Sequence, residues 1–218
     1  MNIGKALPAT IEGRAAVMVV AVLVLTIELS NAFLPVSDPV LPWASAFIGA
    51  AAIGILSNWN LASMGFRFAA RPSWSRWLTV SAAMAAIVLA LSGLAVLAAI
   101  RGHDLFALCN RRFPPLTWSR FIDVAVTAPL VEEVTYRLVL VSAAVAIFGE
   151  WPAIAIGGCV FAGSHWIYGV QGPDNFIAGF LLSWAYLNSR TLLVPILVHV
   201  GGNLGALALQ HYIAALTC

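Results

Sequence analysis

Two adjacent carboxylates and an arginine stand inside an apolar stretch of the sequence that covers residues 128–148. Ionisable side chains are costly in a hydrocarbon environment, so those found there usually face a protein interior or a wet cavity and mark function. On a helix, Glu133 and Arg137 share a face and have the spacing of an ion pair. Glu132 points about 100° away from Glu133. A buried ion pair that only braces helices would explain Glu133 and Arg137, but it would leave Glu132 without a partner.

Two histidines and an asparagine on later apolar runs complete a set that could hydrolyse a peptide bond. His165 follows a run rich in glycine and alanine, and His199 and Asn203 lie four residues apart in the last run. Burial favours proton uptake by a carboxylate, so Glu132 and His165 on facing helices would hold and deprotonate one water. His199 and Asn203 would donate hydrogen bonds to the developing oxyanion. Tyr136 shares the face of Glu132, and lining the cavity and packing are equally compatible with that position.

A zinc-dependent version of this site is the alternative. Two histidines and one glutamate form a known catalytic zinc set, in which the second glutamate would be the base. The sequence lacks the His-Glu-x-x-His spacing of ordinary zinc proteases. Its three cysteines, Cys109, Cys159 and Cys218, have no metal-type spacing either. We therefore favour a mechanism without a cofactor and keep Zn as the alternative.

Composition predicts the fold class. The chain of 218 residues is 61% hydrophobic and 9% charged, with a mean hydropathy of +0.94. Its apolar runs are continuous rather than alternating, and several approach the roughly 20 residues that a helix needs to cross a bilayer. The prediction is an all-α, polytopic transmembrane helical bundle of about seven spans, with an active-site cavity inside it. The net charge of +2 gives no reason to expect nucleic acid as a partner.

The whole chain, 1–218, is predicted to be one membrane-embedded domain with two parts. Scaffold helices fill about 15–100 and come from three apolar runs. The first, at 15–29, is interpreted as a retained helix because no signal cleavage site follows it. The second, at 43–56, is short and could be tilted, shallow or re-entrant, and the third, at 78–100, is a spanning helix. A polar connector covers 101–120, and the catalytic core covers about 120–205. Glu28, near the end of the first run, is predicted to lie at the membrane interface.

Three motifs in a fixed order resemble the CPBP family of intramembrane proteases. They are Glu-Glu-x-x-x-Arg at 132–137, Phe-x-x-x-His at 161–165 and His-x-x-x-Asn at 199–203. That family includes the CAAX prenyl endopeptidases of the Rce1 type and the bacterial Abi-type proteins. The resemblance implies the same roles for Glu132, His165, His199 and Asn203, with Glu133 and Arg137 bracing the site.

The resemblance also implies a membrane-anchored protein or peptide as substrate, cleaved near its C-terminus by a multi-pass protein of a prokaryotic cytoplasmic membrane. The substrate could be a prenylated C-terminus, the membrane anchor of a surface protein, or a peptide pheromone. Two other classes remain open. One is a transporter that uses Glu, His and Arg as a proton relay, although the chain is short and shows no repeated halves. The other is a non-catalytic immunity or scaffold protein of the same family.

Overall fold

The computed structural model describes residues 3–4, 7–8, 10–34, 38–101, 115–170 and 173–217. Most of the predicted polar connector, 102–114, lies outside these ranges. Within them the chain is helical, without strands, which agrees with the predicted all-α class. The α-helices are α1 Ile11–Ser30, α2 Leu41–Leu56, α3 Trp74–Ile100, α4 Trp118–Ile122, α5 Ala128–Glu132, α6 Ser142–Phe148, α7 Glu150–Ile167, α8 Pro173–Ser189 and α9 Leu193–Thr217.

The double-glutamate motif lies on one continuous helical segment, 118–148, which we call the motif helix. It joins α4, α5 and α6 through two π-helical stretches, π1 at Asp123–Thr127 and π2 at Glu133–Val141. The sequence left open a helix or a broken pair of helices here, and the structure has one helix with two widened stretches. π-Helical turns are rare and often occur at functional sites. Glu132 is the last residue of α5 and Glu133 the first of π2.

A proline explains a free carbonyl in π1. The Ala128 N–H bonds to the carbonyl of Asp123, five residues back. The next bond in this register would join residue 129 to the carbonyl of Val124, but Pro129 has no N–H to donate. The Val124 carbonyl accepts a side-chain hydrogen bond from Asn203 of α9 instead. A backbone group buried in lipid has to find such a partner.

Two helices are long and apolar enough to cross a bilayer within the described residues: Ile11–Phe33 and Leu193–Gln210. Leu41–Leu56 is apolar but shorter, as expected from the sequence. α3 has 27 residues, about 40 Å of helix, which exceeds a hydrocarbon core of roughly 30 Å. The number of spans stays a prediction.

The start of the chain and the end of α2 lie at the same end of the bundle. The Gly4 N–H donates to the carbonyl of Ser63, 3.0 Å away, in the loop that follows α2. The same loop is bonded to the segment before α9, because the Leu192 N–H donates to the Gly65 carbonyl at 2.9 Å. Thus α2 returns to the end from which α1 starts, and α9 starts from that end too.

Small residues bring α7 and α8 into close contact. A Cβ added to Gly179 would lie 2.8 Å from the carbonyl oxygen of Gly158, and one added to Gly157 would lie 2.5 Å from Oγ of Ser183. Only glycine permits such spacing, and close packing drives helix association in membranes, where the hydrophobic effect does not. α7 is thereby fixed against its neighbour with His165 in its last turn.

π2 occupies the centre of the packing. Leu138, Val139 and Val141 are fully buried, and they join α1 residues such as Val17 in one apolar cluster. A Cβ added to Gly49 of α2 would meet Val139 at 2.7 Å. α2 therefore packs directly on the helix that bears the glutamates.

Candidate active site

Five ionisable side chains, predicted from separate helices to form a site, lie together in the structure. Glu132 and Glu133 come from the junction of α5 and π2, Arg137 from π2, His165 from α7 and His199 from α9. Each lies within 4 Å of another member of the group. The contacts divide them into a buried half and an exposed half.

The buried half is built around Glu133. Its Oε2 lies 3.1 Å from Nε of Arg137, and both side chains are 0% exposed. Its Oε1 lies 2.7 Å from Nδ1 of His199. A carboxylate paired with a guanidinium only accepts, so Nδ1 of His199 is the donor. Glu133 therefore joins π2 to α9, a link that the sequence spacing did not predict.

Electrostatic and cation–π contacts stabilise the Arg137 guanidinium more than hydrogen bonds do. Both Nη atoms of Arg137 lack a hydrogen-bond partner among the described residues. Its guanidinium carbon lies 4.6 Å from the centre of the Phe161 ring, within the range of a cation–π contact. The charge of Glu133 and this ring are thus the main compensation for a fully buried cation.

Glu132 occupies the more exposed half and faces both histidines. Its Oε2 lies 3.9 Å from Nε2 of His165 and 3.7 Å from Nε2 of His199. This oxygen is buried and has no hydrogen-bond partner among the described residues. The side chains of Glu132 and His165 are each 21% exposed, whereas those of Glu133 and Arg137 are 0%. Part of the Glu132 and His165 side chains is therefore accessible, whereas the pair behind them is closed off.

The hydrogen bonds fix which imidazole nitrogen faces the site. Nδ1 of His165 lies 2.9 Å from the carbonyl oxygen of Phe161, and a carbonyl can only accept, so Nδ1 bears the proton. His199 likewise uses Nδ1 to donate to Glu133. In the neutral form each ring therefore presents the lone pair of Nε2 to Glu132, and each presents an N–H there only as an imidazolium.

Phe161 belongs to the site, although its motif alone assigns it no role. Its ring lies 4.4 Å from that of His165 and 5.9 Å from that of His199, measured between centroids. It also contacts Arg137 and meets Tyr136 edge to face at 5.2 Å. The spacing of Phe-x-x-x-His was the available signal, because residues four apart on α7 share a face.

Asn203 lies one turn beyond His199, but it is engaged elsewhere. Its Nδ2 donates to the Val124 carbonyl at 2.7 Å, and no contact with Glu132 or His165 accompanies this bond in the described part of the chain. One hydrogen of the amide is thus used to tie α9 to π1. The second N–H is the one left for an oxyanion.

The membrane-interface position predicted for Glu28 stays a prediction, but its side chain is enclosed by the bundle. Glu28 is 7% exposed, and its Oε2 accepts a hydrogen bond of 2.9 Å from the hydroxyl of Tyr136. Tyr136 is buried and its hydroxyl is turned towards α1, so this side chain packs inside the bundle. The sequence could not show this because residues 28 and 136 meet only through the packing of α1 on π2.

The same donor atoms do not have the spacing of a zinc site. Glu132 Oε2 and the two Nε2 atoms converge, and an orphaned buried oxygen suits a cation. Donors on one tetrahedral zinc with bonds of about 2.0–2.1 Å lie roughly 3.4 Å apart, whereas here they lie 3.7 and 3.9 Å apart. No group of three or more His, Cys, Asp or Glu in the described ranges has metal-binding geometry. As placed, the residues do not form a metal site.

A protein-family model matches this part of the chain. The model, described as type II CAAX prenyl endopeptidase Rce1-like, matches residues 114–205. No curated protein and no solved structure matches. The match includes all three motifs and supports assignment to the CPBP/Rce1-like family, a family of membrane proteins that are proteases. The resemblance derived from the motifs is thereby confirmed.

Proposed function

We propose that this chain is a multi-pass intramembrane endopeptidase that cleaves a membrane-anchored protein or peptide near its C-terminus. The observation that supports this most is the exposure pattern of the cluster. Glu132 and His165 are partly exposed and 3.9 Å apart, in front of a Glu133–Arg137 pair that is fully buried. A purely structural ion-pair network would not require a second carboxylate without a hydrogen-bond partner.

Glu132 and His165 would hold and activate the water. A water about 2.8 Å from both Glu132 Oε2 and His165 Nε2 is geometrically possible at their separation. It would donate one hydrogen to each, because neutral His165 presents a lone pair there. Glu132 takes one proton as the oxygen attacks the carbonyl carbon, and the C–N bond breaks as that proton passes to the leaving amine. One water is consumed, and the enzyme ends in its starting protonation state.

The oxyanion would form next to α9. His199 can donate from Nε2 only as an imidazolium, because Nδ1 donates to Glu133. The buried Glu133–Arg137 pair fixes that ring from behind. The second amide hydrogen of Asn203 is the other proposed donor. Preorganised donors of this kind are each worth roughly 10²–10³ in kcat.

The test compares membranes from cells that produce wild-type protein with membranes from cells that produce Glu132→Gln. The proteomic readout is a C-terminal cleavage product present only with the wild-type chain. Glu150→Gln is the matched control, since Glu150 is an exposed carboxylate at the start of α7. An amide cannot act as a general base, so we expect Glu132→Gln and His165→Ala to be inactive but inserted, and Glu150→Gln to be active. Full cleavage by Glu132→Gln would refute the proposal.

The zinc-dependent protease stays the alternative that the residue types raise. The donors as placed do not fit a tetrahedral zinc, so no step is assigned to a metal. The transporter and the non-catalytic family member predict no cleavage product with either chain.

A further inference from the structure

Glu28 is a buried carboxylate that the proposed mechanism does not use. It lies on α1, outside the segment 114–205 that matches the family model. Buried carboxylates are expensive unless they are hydrogen-bonded or serve a purpose. Two contacts fix Glu28. Its side chain accepts from the Tyr136 hydroxyl at 2.9 Å, and its backbone carbonyl accepts from the Tyr168 hydroxyl at 2.7 Å.

The first contact leads to the catalytic histidine through two aromatic rings. Tyr136 is buried on π2 and meets Phe161 edge to face, with centroids 5.2 Å apart. Phe161 lies 4.4 Å from the ring of His165, and its carbonyl orients the Nδ1 of that histidine. A rotation of Tyr136 would therefore move the ring against which His165 packs.

The second contact reaches the same helix by a separate route. Tyr168 follows α7 directly and is three residues beyond His165. Its hydrogen bond to the Glu28 carbonyl holds the end of α7 against the end of α1. Both bonds of Glu28 thus act on the last turn of α7, where His165 lies.

We propose that Glu28 is a positioning residue of the active site: it orients Tyr136, and through the Tyr136–Phe161 contact it fixes His165 relative to Glu132. The inference rests on the proposed protease function. It gives α1, which has no motif, a defined part in that site.

The test uses four variants. Glu28→Ala removes the acceptor, Tyr136→Phe removes the donor but keeps the ring, and Glu28→Gln keeps an oxygen that can accept from the hydroxyl. Glu12→Ala is the matched control, because Glu12 is an exposed carboxylate in the first turn of the same helix. Misplacing a catalytic group by about 1 Å costs roughly 100-fold. We expect Glu28→Ala and Tyr136→Phe each to lower kcat by roughly 10- to 100-fold with little change in KM.

Rescue and non-additivity distinguish positioning from general support of the fold. Glu28→Gln should keep most of the activity, and the double variant Glu28→Ala/Tyr136→Phe should lose no more than either single variant, since both break one bond. Losses that multiply, or equal losses for Glu28→Gln and Glu28→Ala, would overturn the proposal. If Glu28→Ala does not fold in detergent, Tyr136→Phe and Glu28→Gln still decide the question.

A readout without proteolysis separates this inference from the proposed function. Diethyl pyrocarbonate modifies accessible histidines, and the His165 side chain is 21% exposed. The rate of His165 modification, followed by mass spectrometry, should change in Glu28→Ala and Tyr136→Phe and stay at the wild-type value in Glu28→Gln and Glu12→Ala. Unchanged rates in all four would refute positioning by Glu28. An inactive wild-type protein with the expected rate changes would refute only the protease function.

Discussion

At the scale of single residues, Glu132 and Glu133 differ because successive side chains of a helix point about 100° apart. Glu132 ends α5 and its side chain is 21% exposed, whereas Glu133 begins π2 and is 0% exposed. The first has both histidines within 4 Å and no hydrogen bond. The second has a cation on one oxygen and an imidazole on the other. Adjacent residues of the same type therefore support two different roles.

The Glu133–Arg137 pair leads to a prediction about stability. Removing one partner of a buried pair strands the other charge and typically costs about 3–5 kcal/mol. Glu133→Gln and Arg137→Met should each lower the thermal stability in detergent, and the double variant should lose less than the sum. Strictly additive losses would mean that the two residues do not interact, and Glu133 would then be a candidate second catalytic carboxylate.

Chelation followed by adding the metal back tests whether the proposed protease depends on zinc. If Glu132 and His165 activate water alone, the purified protein should contain no stoichiometric zinc and should keep its activity after thorough chelation. Elemental analysis and a cleavage assay before and after chelation are the measurements. One tightly bound metal per chain, with activity restored only when that metal is added back, would favour the zinc mechanism.

At the scale of elements, the Asn203 side chain bonds to the Val124 carbonyl and is also a proposed oxyanion donor. Replacing Pro129 allows the structural and the catalytic role to be measured separately. Asn203→Ala removes the part-buried bond to Val124 and should lower stability by roughly 1 kcal/mol, the net contribution of a typical hydrogen bond. Pro129→Ala supplies an N–H that the Val124 carbonyl can accept in the π register. The double variant should therefore regain stability relative to Asn203→Ala while its cleavage activity stays low. Recovery of both properties would show that Asn203 has only a structural role.

The sequence predicted the elements and the members of the site better than their contacts. The continuous apolar runs predicted the helices. The ionisable residues inside those runs were identified as site residues: Glu132, Glu133, Arg137, His165 and His199. Helical spacing also gave the Glu133–Arg137 pair, because that pair is local. The two π stretches were not predicted, since apolar periodicity does not distinguish a π-helical from an α-helical register. The bonds from Glu133 to His199 and from Tyr136 to Glu28 connect residues far apart in sequence, which periodicity does not relate.

At the scale of the whole molecule, the arginines of the scaffold gather at one end of the bundle. Arg67, Arg71 and Arg190 lie in segments joined by backbone hydrogen bonds, such as that from the Arg71 N–H to the Ser189 carbonyl. Arg76 is in the first turns of α3, which starts from the same loop. The chain start also lies here, since Gly4 bonds to Ser63. The exposed Phe68 of this loop suits a membrane interface.

The opposite end of the bundle is marked by Arg120. Its Nη2 lies 3.4 Å from Oε1 of Gln210. Gln210 is in the C-terminal half of α9, whereas Arg190 precedes the start of that helix. Arg101 directly follows the end of α3 on that side. With Arg14 in the first turns of α1, the first end bears five arginines, whereas the sequence gives the other side Arg101 and Arg120 and, in the connector between them, Arg111 and Arg112. Positively charged loops favour the cytoplasmic side, so this small excess favours the first end.

We expect the end that bears Arg67, Arg71, Arg76 and Arg190 to face the cytoplasm. The test places single cysteines in a variant whose native cysteines are replaced by serine. Ser73→Cys marks the arginine-rich end and Ser119→Cys the opposite one, and both positions are exposed. An impermeant thiol reagent applied to intact cells should label Ser119→Cys only, and applied to inverted vesicles it should label Ser73→Cys only. The reverse pattern would mean that the arginine-rich end faces away from the cytoplasm, against the positive-inside rule. His165, in the last turn of α7, would then lie on the cytoplasmic side.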